Sequence, residues 1–173
     1  MSMDKEDLRK ECSFGKDFIT YICYMSDKNA GVIRIPGSDE QFTLWLDGRI
    51  VLEDDREPPP NTVSYSGDDF TVDDLRQAIR SGKKVREARL RIEQGSNVWS
   101  FNFKAERFEV SSLKIDMPQT PDMDERFFDR ILCIEALNSI LDQLYEYFIG
   151  EVYEKKWQVE GYPEFRTWLN KKL

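Results

Sequence analysis

A proline-rich stretch near the middle of the chain is flanked by five carboxylates, the residues best placed to do chemistry. They are Glu53, Asp54, Asp55, Asp68 and Asp69. Carboxylates alone can act as acid and base, as in glycosidases, or can hold magnesium through oxygen ligands. Acids in such a loop more commonly form solvated turns. A carboxylate- or metal-dependent enzyme at the acidic loop 53–69 is therefore a hypothesis that ranks behind two others given below.

The chain contains no histidine, which excludes Ser-His and Cys-His nucleophile pairs and zinc bound through imidazole. Its three cysteines, Cys12, Cys23 and Cys133, are odd in number and far apart, which is typical of reduced thiols. The stretch Ser81-Gly-Lys-Lys84 follows a predicted helix, whereas the lysine of a phosphate-binding loop opens one. We therefore predict no catalytic, metal-binding or cofactor-binding residue and no cofactor, and the sequence favours a non-enzymatic protein.

The net charge of the chain argues against a nucleic-acid partner. Its formal value is -8 and the pI is about 4.8, so the protein as a whole repels phosphate backbones. The densest basic group, Arg86, Arg89 and Arg91, is interrupted by Glu87 and Glu93. We therefore expect no nucleic-acid binding.

The distribution of apolar residues predicts no membrane span, because no stretch reaches the roughly 18 apolar residues that a spanning helix needs. The N-terminus, MSMDKEDLRKEC, is charged where a signal peptide would be apolar. We therefore expect a cytoplasmic protein, and its 40% apolar content predicts a folded chain.

The first third of the chain is predicted to form strands. Residues 4–12 can form a short helix. Residues 17–25 are rich in β-branched and aromatic residues and favour a strand, although a helix is the competing interpretation. The segment VIRI, which stops at Pro36, predicts the next strand.

Residues 42–53, FTLWLDGRIVLE, predict a hairpin that turns at Asp47-Gly48, because Asp-Gly supplies the positive φ angles of a two-residue turn. That register sets Trp45 opposite Ile50 and makes both faces of the hairpin apolar. One face carries Phe42, Leu44, Leu46 and Val51, and the other carries Trp45, Ile50 and Leu52. The second face then needs a cover, either from this chain or from a partner.

The middle of the chain is predicted to hold a loop, a helix and a strand meander. The loop spans 54–70. Thr71 and Asp74 match a variant of the capping box and begin a helix over 72–81. Strands follow between 84 and 116. A turn at Gly95-Ser96 sets Ile92 opposite Trp99, Leu90 opposite Phe101 and Ala88 opposite Phe103, and it puts the charged residues on the other face. A further strand carries a bulge near Ser111-Ser112.

The last third predicts a long helix over 121–149, with an N-cap from Thr120-Pro121-Asp122, and an aromatic-rich tail over 150–173 with a short helix from Pro163. The apolar stripe of the long helix is too wide for one face and should be covered on most sides. It includes Phe127, Phe128, Ile131, Leu132, Ile134, Leu137, Ile140, Leu141, Leu144, Tyr147 and Phe148.

These elements indicate the fold class α+β: an antiparallel β-sheet of two meanders, with about six or seven strands, packed against a long C-terminal helix in a single domain, 1–173. The element order, the acidity and the small size resemble type III secretion chaperones and related small bacterial α+β domains. The resemblance is in element order, involves no shared motif and does not carry function. The tail and the loop over 54–69 exceed that compact pattern.

The leading functional hypothesis is a non-enzymatic protein-binding domain, whose partner is another protein or a second copy of the chain. Candidate partner-binding residues are Trp45, Ile50, Leu52, Trp157, Tyr162, Phe165 and Trp168. The alternative for these residues, internal packing of the tail over the hairpin, is weighted above partner binding. The second functional hypothesis is a carrier of a small apolar ligand held between the sheet and the helix.

Overall fold

The computed structural model describes residues 12–56, 58–152 and 157–172, so the predicted helix over 4–12 lies almost wholly outside the described residues. Its first element is helix α1, Cys12–Lys28, and the strand predicted over 17–25 is therefore wrong. Apolar residues at helical spacing, among them Phe18 and Ile22, bury one side of α1 in the core. This burial outweighs the β propensity of the individual residues, and the competing helical interpretation is confirmed.

The hairpin predicted at Asp47-Gly48 is also wrong. Strand β1, Val32–Arg34, leads into one long strand β2, Gln41–Asp54, which passes through the Asp-Gly pair without reversing. Leu46 lies opposite Leu90 and Ile50 lies opposite Ala88, so the pair forms part of a bulge. Gly48 supplies its positive φ angle of 75° to this bulge instead of a turn. Two extra residues keep the side-chain alternation, and Ile50 and Leu52 stay on the face of Leu44.

Part of the predicted loop 54–70 is a strand. Strand β3, Asn61–Ser66, pairs antiparallel with the second half of β2, with Ile50 opposite Tyr65 and Leu52 opposite Val63. This segment has only two apolar residues, Val63 and Tyr65, because β3 lies at an edge of the sheet and its side chains are half-buried or exposed, so the apolar pattern was too short to predict a strand. Within the predicted loop, only the described residues on either side of β3 are irregular.

The second meander matches the prediction pair by pair. Strand β4, Lys84–Gln94, and strand β5, Asn97–Lys104, pair Ile92 with Trp99, Leu90 with Phe101 and Ala88 with Phe103. Strand β6, Glu109–Asp116, follows a short 3₁₀ turn, Ala105–Arg107. Its predicted bulge is confirmed, because the register shifts next to Ser112, which has a φ of 52°.

The strands form a six-stranded antiparallel sheet in the order β1-β2-β4-β5-β6, with β3 alongside β2. One face of the sheet packs on α1 and on the long C-terminal helix α3, Met123–Val152, which has 30 residues. Between them lies one continuous core whose largest fully buried members are aromatic: Trp99, Tyr24, Tyr145, Phe18, Phe101, Phe103 and Phe148. The predicted α+β class, with a long C-terminal helix on an antiparallel sheet, is confirmed.

The shorter helices are close to the expected positions. Helix α2, Val72–Arg80, has the predicted capping box, in which the Asp74 N–H donates to Thr71 Oγ1 over 3.2 Å and the Thr71 N–H donates to Asp74 Oδ2 over 2.8 Å. The tail forms a π-helical turn, Trp157–Gly161, and helix α4, Tyr162–Leu169, with Pro163 in its first turn. Among the described residues, no helix combines the length and apolar character needed to cross a bilayer.

Candidate functional site

The first three turns of α3 extend beyond the rest of the fold. From residue 121 to residue 132 every side chain is exposed except that of Asp129, which is half-buried. Burial begins at Cys133, which is 3% exposed, and continues at Leu137, which is 1% exposed. We call Met123–Ile134 the arm. The arm is the part of α3 with little support from the described residues.

Large apolar side chains cover much of the arm. They form what we call the arm surface: Met123 (80% exposed), Phe127 (63%), Phe128 (64%), Ile131 (37%), Leu132 (61%) and Ile134 (37%). The sequence predicted that all of these residues except Met123 would belong to a stripe covered on most sides. That prediction is wrong for the arm, because burial along α3 begins only at Cys133. The width of the apolar stripe was the sequence signal for an uncovered surface, because the stripe exceeds what one supporting face can bury.

Hydrogen bonds at both ends fix the arm. Asp122 is the N-cap in place of the predicted Thr120, and its Oδ1 accepts from the N–H groups of Asp124 over 2.8 Å and Glu125 over 3.1 Å. Acids in this first turn also oppose the positive end of the helix dipole. At the other end of the arm, Trp99 Nε1 donates to the Cys133 carbonyl over 3.0 Å. The arm is therefore capped at its tip and anchored to β5 at its base.

A groove runs along one side of the arm, between α3 and the segment that follows β6. It has a volume of about 390 Å³, and its walls include Ile115, Met117 and Phe127. Arg126 and Arg130 also line it and provide basic groups beside the apolar wall. The groove and the arm surface meet at Met123 and Phe127, so the two form one continuous surface.

The predicted hairpin patch is not formed. Ile50 is 1% exposed and Leu52 is 0% exposed, because both lie on the core face of β2. Trp45 is on the opposite face and is 43% exposed. Its ring covers Gly31, where an added Cβ would lie 2.1 Å from Trp45 Cζ2. Only Trp45 of these three is therefore accessible to a partner.

The aromatic tail packs on its own fold, against α1. The ring of Trp157 lies 5.9 Å from that of Tyr21, and the rings of Phe165 and Trp168 each lie 5.1 Å from that of Tyr24. Trp168 is 6% exposed, whereas Tyr162 is 48% exposed. Internal packing therefore accounts for most of the tail, and Tyr162 remains accessible.

A buried charge network that the sequence did not indicate ties the tail in place. Arg76, on α2, is 4% exposed and donates to Asp27 over 2.9 Å and to Asp73 over 3.3 Å. Its guanidinium lies 5.2 Å from the centre of the Trp168 ring, and Trp168 Nε1 donates to Asp27 over 2.6 Å. This network joins α1, α2 and α4, and it therefore holds the tail helix against the rest of the fold.

Beneath the tail is a mainly apolar cavity of about 350 Å³. Tyr21, Phe148 and Trp157 form part of its wall, and Lys83 and Lys84 line it where α2 ends. Burial raises the pKa of the Tyr21 hydroxyl far above its usual range, so this wall presents a neutral phenol. The cavity lies between helices, and the predicted cleft between sheet and helix is filled by core side chains.

The five acids proposed for chemistry do not converge. Lys16 lies 2.8 Å from Glu53 and 2.7 Å from Asp55. The side-chain hydrogen bond from Arg56 lowers the pKa of Asp54 to about 2, and the one from Lys16 lowers the pKa of Asp55. Asp68 and Asp69 are exposed beyond β3.

Within the described ranges, no three His, Cys, Asp or Glu residues are grouped as a metal site. The lowered pKa values of Asp54 and Asp55 suit ion pairing with Arg56 and Lys16 better than proton transfer at neutral pH.

No protein-family model matches this chain, and no curated protein is significantly similar to it in sequence.

Proposed function

We propose that this protein is a non-enzymatic, cytoplasmic protein-binding domain, of an adaptor, chaperone-like or inhibitor-like kind, and that it docks through the arm surface. The observation that carries the proposal is the exposure of six large apolar side chains on one short length of helix. Soluble monomers rarely expose a contiguous apolar patch larger than a few hundred Å², and larger patches are typical of interaction sites.

The isolation of the arm supports the same conclusion. Most helical stability in proteins comes from the packing of an apolar face. The arm is 12 residues long, and its described neighbours pack on little of it. A partner that covers the arm surface would therefore stabilise the helix as well as shield its apolar side chains.

The chemistry of the chain favours binding over catalysis. Histidine, the commonest acid and base near neutral pH, is absent from the sequence. The acids nearest the proline-rich loop are engaged by Lys16 and Arg56. The net charge of -8 also favours a protein partner over a nucleic acid.

The test replaces Phe128 by a photo-crosslinking phenylalanine derivative and exposes the protein to light in cell extract. We expect adducts of defined mass, because a side chain 64% exposed at the centre of the arm surface lies within reach of a docked partner. The matched control carries the same derivative at Val159, which is apolar and 75% exposed but lies on the tail. Equal adducts from both positions, or none from Phe128, would contradict the proposal.

A second candidate function, the binding of a small apolar ligand, is favoured by the cavity beneath the tail. Its volume of about 350 Å³ falls within the range of small-molecule sites, about 300–1,000 Å³. Lys83 in its wall suits a ligand with an anionic head, whereas Lys84 pairs over 2.6 Å with Asp17, which also lines the cavity. Native mass spectrometry of freshly purified protein, and of protein incubated with a fatty acid, tests it. A mass that stays that of the bare chain in both samples would eliminate this candidate.

A further inference from the structure

We propose that the partner seated on the arm surface is a second copy of this chain, so that two arms pair side by side about a twofold axis. The inference rests on the proposed function, because it names the occupant of the same surface.

The area of the arm surface is the first argument. A fully exposed large apolar side chain presents roughly 180 Å², and weighting by the exposed fractions gives about 600 Å² for the six side chains. A stable protein–protein interface buries about 1,200–2,000 Å² in total, or about 800 Å² on each partner. Two arm surfaces alone reach the lower limit of this range. The adjoining groove adds further area from Ile115 and Met117.

Symmetry is the second argument. In a twofold contact the same patch lies on both sides of the interface, so one contact covers the exposed apolar surface of both molecules. Every molecule of the protein carries the arm, and a second copy is therefore always present at the same concentration. Phe127, Phe128 and Leu132 have the size and chemistry to pack against the apolar side chains of a second arm, as aromatic and aliphatic side chains do in homodimer cores.

Charge determines the direction of the pairing. The tip of each arm carries Asp122, Asp124 and Glu125. A parallel pair would place the two acidic tips together, whereas an antiparallel pair separates them by the length of the arm, about 18 Å at 1.5 Å per residue. The arms therefore run antiparallel. Because each chain also carries a net charge of -8, the dimer should tighten when added salt screens the repulsion between copies.

Sedimentation equilibrium of the full chain, over about a hundredfold range of concentration, tests the inference. The mass should rise from 20.5 kDa towards twice that value, and the rise should occur at lower concentration in high salt. The double variant Phe127→Gln, Leu132→Gln should weaken the dimer by about 100-fold or more, because apolar anchors at an interface centre carry most of its affinity. The control variant Val159→Gln should leave the dimer unchanged. Thermal melts of both variants check that each remains folded.

The crosslinking derivative at Phe128 supplies a second readout that leaves the other arm residues intact. Purified protein should give a covalent dimer from Phe128 and not from Val159. A wild-type chain that stays monomeric at every concentration, or a dimer that survives the double variant, would overturn the inference. If the pure protein is monomeric but Phe128 forms adducts of other masses in extract, the second copy is wrong and the proposed function stands. If Phe128 forms no adduct in either sample, both fail.

Discussion

The ion pair between Lys16 and Glu53 makes a quantitative prediction about how α1 is attached to the sheet. Lys16 is 3% exposed and Glu53 is 9% exposed, and their charged atoms lie 2.8 Å apart. Lys16→Met keeps an aliphatic stem in place but leaves the Glu53 carboxylate buried beside an apolar group. Arg86, which lies 3.4 Å from Glu53, still compensates part of the negative charge of that carboxylate.

Removal of one partner of a buried ion pair typically costs 3–5 kcal/mol, so we expect Lys16→Met to cost about 3 kcal/mol of unfolding free energy, the low end of that range. Glu53→Met should cost about 2 kcal/mol, because Asp55 remains to pair with Lys16. The double variant should also lose only about 2 kcal/mol, since it leaves neither charge stranded. The coupling between the two substitutions is then about 3 kcal/mol.

Urea unfolding followed by circular dichroism measures each free energy, and the melting temperature of Lys16→Met should fall by roughly 6–12 °C for a chain of this length. The control is Lys28→Met, which breaks the exposed ion pair between Lys28 and Glu164 and should cost no more than about 1 kcal/mol. If the two single losses simply add in the double variant, or if Lys16→Met costs no more than Lys28→Met, the reasoning is refuted.

Three further predictions concern local features of the fold. Gly48→Ala should cost about 1 kcal/mol in urea unfolding, because Gly48 has a φ of 75° that a Cβ disfavours; an unchanged midpoint would contradict the bulge. Burial raises the pKa of the Cys23 thiol to about 12, so Ellman's reagent at pH 8 should label Cys23 only after unfolding, and rapid labelling of the folded protein would be inconsistent with the core. The side-chain and backbone hydrogen bonds from Thr71 lower the pKa of Asp74 in the folded state. Their contribution to the stability of the fold is therefore present above a pH of about 4 and is lost as the pH falls below it. Thr71→Val should raise the pKa of Asp74 in a carboxyl NMR titration and should make the stability of the protein less sensitive to acid.

Alternation of apolar and polar residues was sufficient to fix the second meander. Between Val85 and Phe103 only one register sorts apolar from charged side chains, and a shift by one residue would put Arg89 and Arg91 in the core. The capping box at Thr71 and the bulge beside Ser112 were also readable, because each depends on residues a few positions apart in the chain. The geometry of a capping box or a bulge is determined by the few residues that form it.

The first half of the chain could not be read in this way. In the segment of Phe18 and Ile22, β propensity and helical periodicity pointed to different structures, and burial against the sheet decided for the helix. Asp47-Gly48 permits a positive φ angle in a turn or in a bulge, and the pairing of β2 with β4 decided for the bulge. The predicted patch of Trp45, Ile50 and Leu52 depended on the turn and disappeared with it.

The sequence by itself determined the α+β class, the register of the β4–β5 pair, the capping of α2 and the unusually wide apolar stripe of α3. Each of these follows from the periodicity and chemistry of neighbouring residues, which no distant contact alters. Only the tertiary structure decided which part of the stripe stays uncovered. That depends on where burial begins along α3, at Cys133, whose carbonyl accepts a hydrogen bond from Trp99 of β5. The arm surface exists because α3 is longer than the part of it that the body of the protein buries.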